Sequence, residues 1–189
     1  MGWITLRNDF NNWMKFRVFE LILFMENAPF EWFLAGGHAL DEFVKYRIRE
    51  HKDIDILIDI KNVDEVLDYF KGYQIYIARN GKLIDVDEVD IVITDSLWIA
   101  EDKASPFFLE VLFFESDYGE WIYKRNRDIR RFIDSIYFIS NGIRVIQPEI
   151  QLLYKMNSSN VRDKDLLDYE VVYAKLSDDQ REWLDTKIK

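Results

Sequence analysis

Three acidic residues carry the chemistry for which this sequence can be read. In "EHKDIDILID", residues 50–59, Asp53 and Asp55 interrupt a run of isoleucines at alternate positions. Side chains on a strand alternate between faces. Asp53, Asp55 and Asp59 therefore share one face with Leu57, while Ile54, Ile56, Ile58 and Ile60 fill the other. Two carboxylates on one strand face repel each other unless that face is simply solvated or a cation lies between them. Mg²⁺ is held by one or two carboxylates together with substrate phosphates, and alternate strand positions aim both acids at one point. The loop glycine and terminal Glu of an EF-hand are missing from this spacing. Glu110 is the only ionisable residue in "FFLEVLFF", and a charge in such a run is rarely buried without a partner. On a neighbouring strand it would be a third metal ligand or a general base. Asp90, in "EVDIVI", is its rival.

The glycines come next. "FEWFLAGG" reads as a short strand closing on Gly36–Gly37, and Leu40, Phe43, Val44 and Ile48 then recur at helical spacing. A strand-to-helix turn without side chains lets a phosphate approach backbone N–H groups at a helix N-terminus. Neither the G-K-[ST] of a Walker loop nor a GxGxxG pattern is present.

Around these residues the pattern predicts a helix over 10–26, ended by "NAP", and the Asp53/Asp55 strand. A further helix carries Val63, Val66, Leu67 and Phe70 and stops at Gly72. "YQIYIAR" and "KLIDV" flank Asn80–Gly81 as a hairpin, and "VDIVITDSLWIAE", "FFLEVLFFE" and "EWIYK" read as strands. From Pro148 the character is helical. "PEIQLLYKM" opens with Pro in a first turn, Asn160 with Asp163 caps a second helix, and Ser177 with Gln180 forms the capping box of a third. The expected architecture is α/β (α+β): a mixed sheet flanked by helices over residues 1–146, and a small C-terminal helical subdomain over 147–189.

Composition narrows the function classes. A chain of 189 residues, 49% of them hydrophobic, buries a sizeable core. Without cysteine it has neither disulfides nor thiolate metal sites. "MGWITLRNDFNNW" carries no signal-peptide pattern, Leu6 breaks the myristoylation motif, and "VFELILFM" is too short to span a bilayer. The expectation is a cytoplasmic protein with no membrane association. A formal net charge of −10 argues against a nucleic-acid partner and suits a cationic small molecule.

"WFLAGGHALDEFV…RIREHKDIDILI" is similar to the nucleotidyltransferase superfamily, in which a G-G or G-S turn and a helix precede a D-x-D strand. Within it the chain resembles the aminoglycoside 2″-adenylyltransferase and lincosamide nucleotidyltransferase group. "EWIYKRNRDIRR" and "PEIQLLYKMNSSNVRDKDLLDYEVV" look like the later part of that group, so the resemblance spans about residues 30–185. It implies an enzyme that moves a nucleoside monophosphate, AMP, from an NTP, ATP, to a hydroxyl of a small acceptor, an aminoglycoside or lincosamide antibiotic. It further implies Mg²⁺, as two ions, on Asp53 and Asp55 with Glu110, and a triphosphate against Gly36 and Gly37. Lys155, Arg162 and Lys164 match basic positions that would neutralise its phosphates, and the alternative for them is a solvated helix face. Asp41 matches a family acid and is read as orienting its helix. His51 matches the motif as a structural hydrogen-bonder. His38 stands where relatives typically carry Trp, and packing is its expected role. Tyr118, Trp121 and Tyr123 line an acceptor pocket or belong to the core. The competing readings are a catalytically silent binding module and a protein-modifying, antitoxin-like transferase.

Overall fold

The computed structural model describes residues 6–188. The part of the signal-peptide reading that falls on residues 1–5 lies outside them. In chain order the elements are β1 (Leu6–Arg7), α1 (Val18–Phe24), β2 (Phe33–Ala35), α2 (Gly36–Val44), β3 (Asp55–Asp59) and α3 (Val63–Tyr69). There follow β4 (Gln74–Arg79), β5 (Lys82–Asp85), β6 (Ser96–Ala100), β7 (Phe107–Asp117) and β8 (Glu120–Ile122). The chain ends with β9 (Arg130–Phe132), β10 (Tyr137–Ser140), β11 (Ile143–Ile146), α4 (Pro148–Met156), α5 (Asp163–Tyr173) and α6 (Asp178–Asp185).

The strands form one mixed sheet in the order β1-β5-β4-β6-β7-β3-β2-β11-β10, with β8 and β9 extending from β7. Two pairings within it are parallel, β3 with β7 and β11 with β2. The mixed α/β architecture expected from the sequence is thus the one found. Where β3 and β7 pair, one face of each strand is wholly apolar and buried. Ile54, Ile56 and Ile58 alternate with Asp55, and Leu109, Val111 and Phe113 alternate with Glu110, and all six apolar residues are fully buried. Fully burying each such side chain stabilises the fold by about 1.5–3 kcal/mol, so a one-residue slip of β3 or β7 is strongly disfavoured. The Asn80–Gly81 hairpin forms as read, with φ of +50° and +71°. Among the described residues, no helix is long and apolar enough to cross a membrane.

Several local expectations are corrected. The helix expected over 10–26 is confined to Val18–Phe24. Residues 12–14 instead run along the start of β7, where Met14 N–H donates to Phe107 O and Phe107 N–H to Asn12 O, both at 2.8 Å. Trp13 meets Trp98 at 4.7 Å between ring centroids and Phe107 at 5.4 Å, so aromatic burial on the sheet overrides helix periodicity. The strand read from "VDIVITDSLWIAE" begins only at Ser96, because Asp95 folds the preceding segment into a turn. Its carboxylate accepts Val92 N–H at 2.7 Å and binds Arg79. The second tail helix is capped by Arg162 with Asp165, whose carboxylate accepts Arg162 N–H at 3.2 Å, and not by Asn160 with Asp163. The Ser177–Gln180 box is present in both directions.

Strands β10 and β11 were not anticipated, although Asn141–Gly142, with φ of +51° and +79°, carries the same turn signature as Asn80–Gly81. The tail helices pack on the body through α2 and α4. Glu149 of α4, buried, takes Arg131 at 2.6 Å and Gln180 of α6 at 2.8 Å.

Candidate active site

Parallel pairing of β3 and β7 sets Asp55 directly opposite Glu110, and Glu110 N–H donates to Ile54 O at 2.9 Å to continue the ladder. Neighbours in register share a face. The carboxylates of Asp53, Asp55 and Glu110 therefore converge, with one oxygen from each lying within 4.8 Å of the others. Glu110 is the third carboxylate. Asp90 lies in the turn before β6, where its carbonyl receives Arg79, and it is not part of the cluster. Ser96 on β6 donates its hydroxyl to Glu110 at 2.6 Å and fixes one of its oxygens. Burial, and then the neighbouring Glu110 and Asp53, push the Asp55 carboxyl well above the usual carboxylate range. Burial likewise raises Glu110, against the Ser96 hydrogen bond. Three hard oxygen donors sharing excess negative charge fit a Mg²⁺-type cation, which relieves their repulsion.

Gly36 abuts this cluster. Its φ is +66°, and a Cβ there would lie 2.7 Å from Asp55 Cγ, with Oδ2 closer still. Only glycine combines that backbone with that approach. The Gly36 N–H donates to Gln151 Oε1 of α4 at 2.8 Å, which leaves the following N–H groups of the helix start for an anion. Gly37 lies beneath the His51 ring, where a Cβ would overlap the imidazole. His51 has the structural hydrogen bond expected of it, with Nε2 2.7 Å from Asp41 Oδ2. Asp41 Oδ1 accepts Ile48 N–H at 2.9 Å and ties α2 to the segment leading into β3.

The cleft that holds the carboxylates encloses about 280 Å³ and is lined by basic residues as well. Lys155, Arg162 and Lys164 all line it with Asp53 and Asp55, but they differ. Lys155 is buried between Asp165 at 3.0 Å and Asp168 at 2.9 Å, so the solvated-face alternative fails for it. Arg162 binds Asp165 at 2.7 Å. Burial opposes ionisation of Asp165, yet hydrogen bonds from Arg162 and Lys155 outweigh it and hold the carboxyl below its usual range. Burial, followed by the neighbouring Arg162, lowers the Lys164 ammonium. Arg49, not singled out from the sequence, reaches Asp168 at 2.8 Å and closes this ion network onto the segment before β3. Gln151 and Ser96 were also missed, since a polar residue in a helix or strand acquires meaning only from its partner. The aromatic trio divides: Trp121 and Tyr123 belong to the core, and Tyr118 is 95% exposed at the β7–β8 turn.

Among solved structures, the lincosamide antibiotic adenylyltransferase LnuA with lincomycin bound is similar to this chain, with a TM-score of 0.58 at 20% identity over 88% of this chain and 100% of that one. ANT(2″)-Ia in complex with adenylyl-2″-tobramycin gives 0.57 at 12% identity, over 89% and 92%. The Megavirus polyadenylate synthase gives 0.50 at 14%, over 89% of this chain and 34% of the synthase. At these identities the likeness is one of fold: the chain shares the nucleotidyltransferase-like fold of these proteins, with the carboxylate cluster seated on it. Over residues 17–98 its sequence matches the family model for aminoglycoside-2″-adenylyltransferase, the group that its glycine–acid motif resembles. No curated protein sequence matches it at a significant level.

Proposed function

We propose that this protein is a Mg²⁺-dependent adenylyltransferase that moves AMP from ATP to a hydroxyl of a small, cationic acceptor of the aminoglycoside or lincosamide type. The observation that carries the reading is the convergence of Asp53, Asp55 and Glu110 beside Gly36, in a cleft also lined by Lys155, Arg162 and Lys164. Asp53, Asp55 and Glu110 would hold the divalent cation. When bound, it supplies charge neutralisation of the triphosphate and Lewis-acid polarisation at phosphorus. The N–H groups of α2 that follow Gly36 receive phosphate oxygens, while Lys164, Arg162 and Lys155 offset the charge of the departing pyrophosphate. The acceptor oxygen forms a bond to the α-phosphorus as the bond to the bridging oxygen breaks. The hydroxyl proton passes to a carboxylate of the cluster or to solvent. Ser96, by holding Glu110, and Gln151, by holding Gly36, position these groups without touching the reacting atoms.

The deciding experiment is pyrophosphate release from each NTP with Mg²⁺ across a panel of aminoglycosides and lincosamides, with Asp53→Asn and Asp55→Asn beside the wild type. Release that requires ATP and one acceptor, and is absent in both variants, supports the reading. Release that follows a protein acceptor instead favours the antitoxin-like alternative. Nucleotide binding without release from any pairing favours a silent binding module. The division into a body over 1–146 and a tail over 147–189 is part of the proposal, and cleavage by limited proteolysis near residue 147 would support it.

A further inference from the structure

A second cluster of ligating side chains stands beside the carboxylates, and transfer chemistry gives it no role. His38 and Asp41 lie three residues apart on α2, so they project from one face of the helix. His51, on the segment before β3, faces them. One ring nitrogen from each histidine and one oxygen of Asp41 all lie within 4.8 Å of one another. The two imidazole rings are 4.5 Å apart between centroids. Asp41 is already oriented, because Ile48 N–H holds Oδ1 and leaves Oδ2 facing His51 Nε2 at 2.7 Å. His51 is almost wholly buried against Gly37. The cluster borders a cavity of about 900 Å³ that is also lined by Asp53.

The bland account is a hydrogen-bonded Asp–His pair with His38 packed alongside. It explains Asp41 and His51, but not why a third donor with no hydrogen-bond partner of its own among the described residues turns toward them. We propose that His38, Asp41 and His51 form a metal site for a first-row divalent ion of the Zn²⁺, Co²⁺ or Ni²⁺ class, bound through two imidazole nitrogens and one carboxylate oxygen. Such ions take nitrogen at about 2.0–2.1 Å and carboxylate oxygen at about 2.0–2.2 Å, which brings the donors to about 3.3 Å from each other. Modest side-chain closure from the observed spacing meets that requirement. Mg²⁺ is excluded by its preference for oxygen, so the two clusters sort different cations. Coordination at His51 Nε2 requires a lone pair there, so the metal takes the place of any Nε2 proton, which moves to Nδ1 of a neutral ring or is released to solvent from a charged one, with no redox change. Burial, and then the neighbouring His51, lower the His38 imidazole to about 4, so it presents a free lone pair at neutral pH. Three protein donors leave a coordination position for water or a ligand from the cavity, as in catalytic rather than structural zinc sites.

The test uses the full chain, stripped with chelator and returned to saturating Mg²⁺, and titrated with Co²⁺ while its visible ligand-field bands are followed. Zn²⁺ affinity is then read by competition. One Co²⁺ equivalent that persists in excess Mg²⁺ is expected. His38→Phe, which keeps a ring for packing, and Asp41→Asn should each weaken it by roughly tenfold or more. Asp55→Asn/Glu110→Gln should retain it. Far-UV circular dichroism of each metal-free variant establishes that it is folded. If Asp41→Asn does not fold, His38→Phe decides alone. Unchanged Co²⁺ affinity in folded His38→Phe, loss of the bands in the carboxylate double variant, or no Mg²⁺-resistant binding would each overturn the proposal. Because the readout is the metal itself, its failure is separable from failure of the transferase reading.

Discussion

Replacing Gly36 by alanine should separate backbone strain from active-site damage. Two penalties arise at this position. The first is the left-handed backbone, φ +66°, which disfavours an L side chain by roughly 1–2 kcal/mol. The second is contact with Asp55. An added Cβ would sit 2.7 Å from Asp55 Cγ, where ordinary contact begins at 3.4 Å, so the carboxyl carbon must retreat by about 0.7 Å and Oδ2, which is closer still, by more. Misplacement of reacting groups by about 1 Å can lower rates by roughly 100-fold. Gly142 supplies the control, since its φ is +79° and nothing lies within 4 Å of a Cβ built there. Both variants should therefore lose melting temperature, by roughly 2–8 °C for a chain of this size. Only Gly36→Ala should also lose acceptor-dependent pyrophosphate release, by roughly 100-fold. Wild-type turnover in Gly36→Ala, or equal loss of turnover in Gly142→Ala, would refute the claim that Gly36 sets the position of Asp55.

Other outcomes follow from the same geometry. The folded-state pKa of Asp55 lies above its unfolded value, so this group's contribution to stability is complete below the unfolded pKa and is lost as pH rises through the folded one. Metal-free Asp55→Asn should therefore melt above the wild type at neutral pH, the gap closing as pH falls toward the ordinary carboxylate range, while Mg²⁺ with ATP stabilises only the wild type. Lys155→Met leaves Asp165 and Asp168 buried with fewer counter-charges and should cost about 3–5 kcal/mol by urea denaturation. Lys164→Ala should leave stability unchanged and raise KM for the nucleotide. Ser96→Ala removes the 2.6 Å hydrogen bond that holds Glu110 and should slow transfer roughly tenfold without the near-complete loss expected of Glu110→Gln.

The parts of the site that were legible rest on short-range rules. Asp53 and Asp55 declared themselves because alternation on a strand is a local property, and Glu110 because a lone charge in an apolar run is conspicuous in any register. The choice of Glu110 over Asp90 was not local, since it depends on β7 rather than the turn before β6 lying next to β3. Helix periodicity misled over residues 10–17 because the same aromatic spacing serves an extended segment laid across Trp98 and Phe107. Lys155 and Arg162 were visible as charges. That Asp165 and Asp168 already occupy them is tertiary information, as is the grip of Gln151 on Gly36.

The pairing of β3 with β7 also has a kinetic meaning. The two acids that face each other across it are separated in sequence by α3, β4, β5 and β6, and β6 lies on the far side of β7 from β3. Parallel neighbours this distant close a large loop, a slow step in folding. The Asn80–Gly81 hairpin is the short-range pairing of the excursion, and it gives β6 and then β7 an edge on which to assemble. Glu110 is therefore expected to reach Asp55 after the intervening sheet has been built, so that the site matures late. A fragment confined to residues 17–98, the stretch that matches the aminoglycoside-2″-adenylyltransferase model, holds both aspartates yet lacks Glu110 and Gln151 altogether. Lesions in the hairpin turn should accordingly reduce the yield of folded enzyme while leaving the turnover of each folded molecule intact.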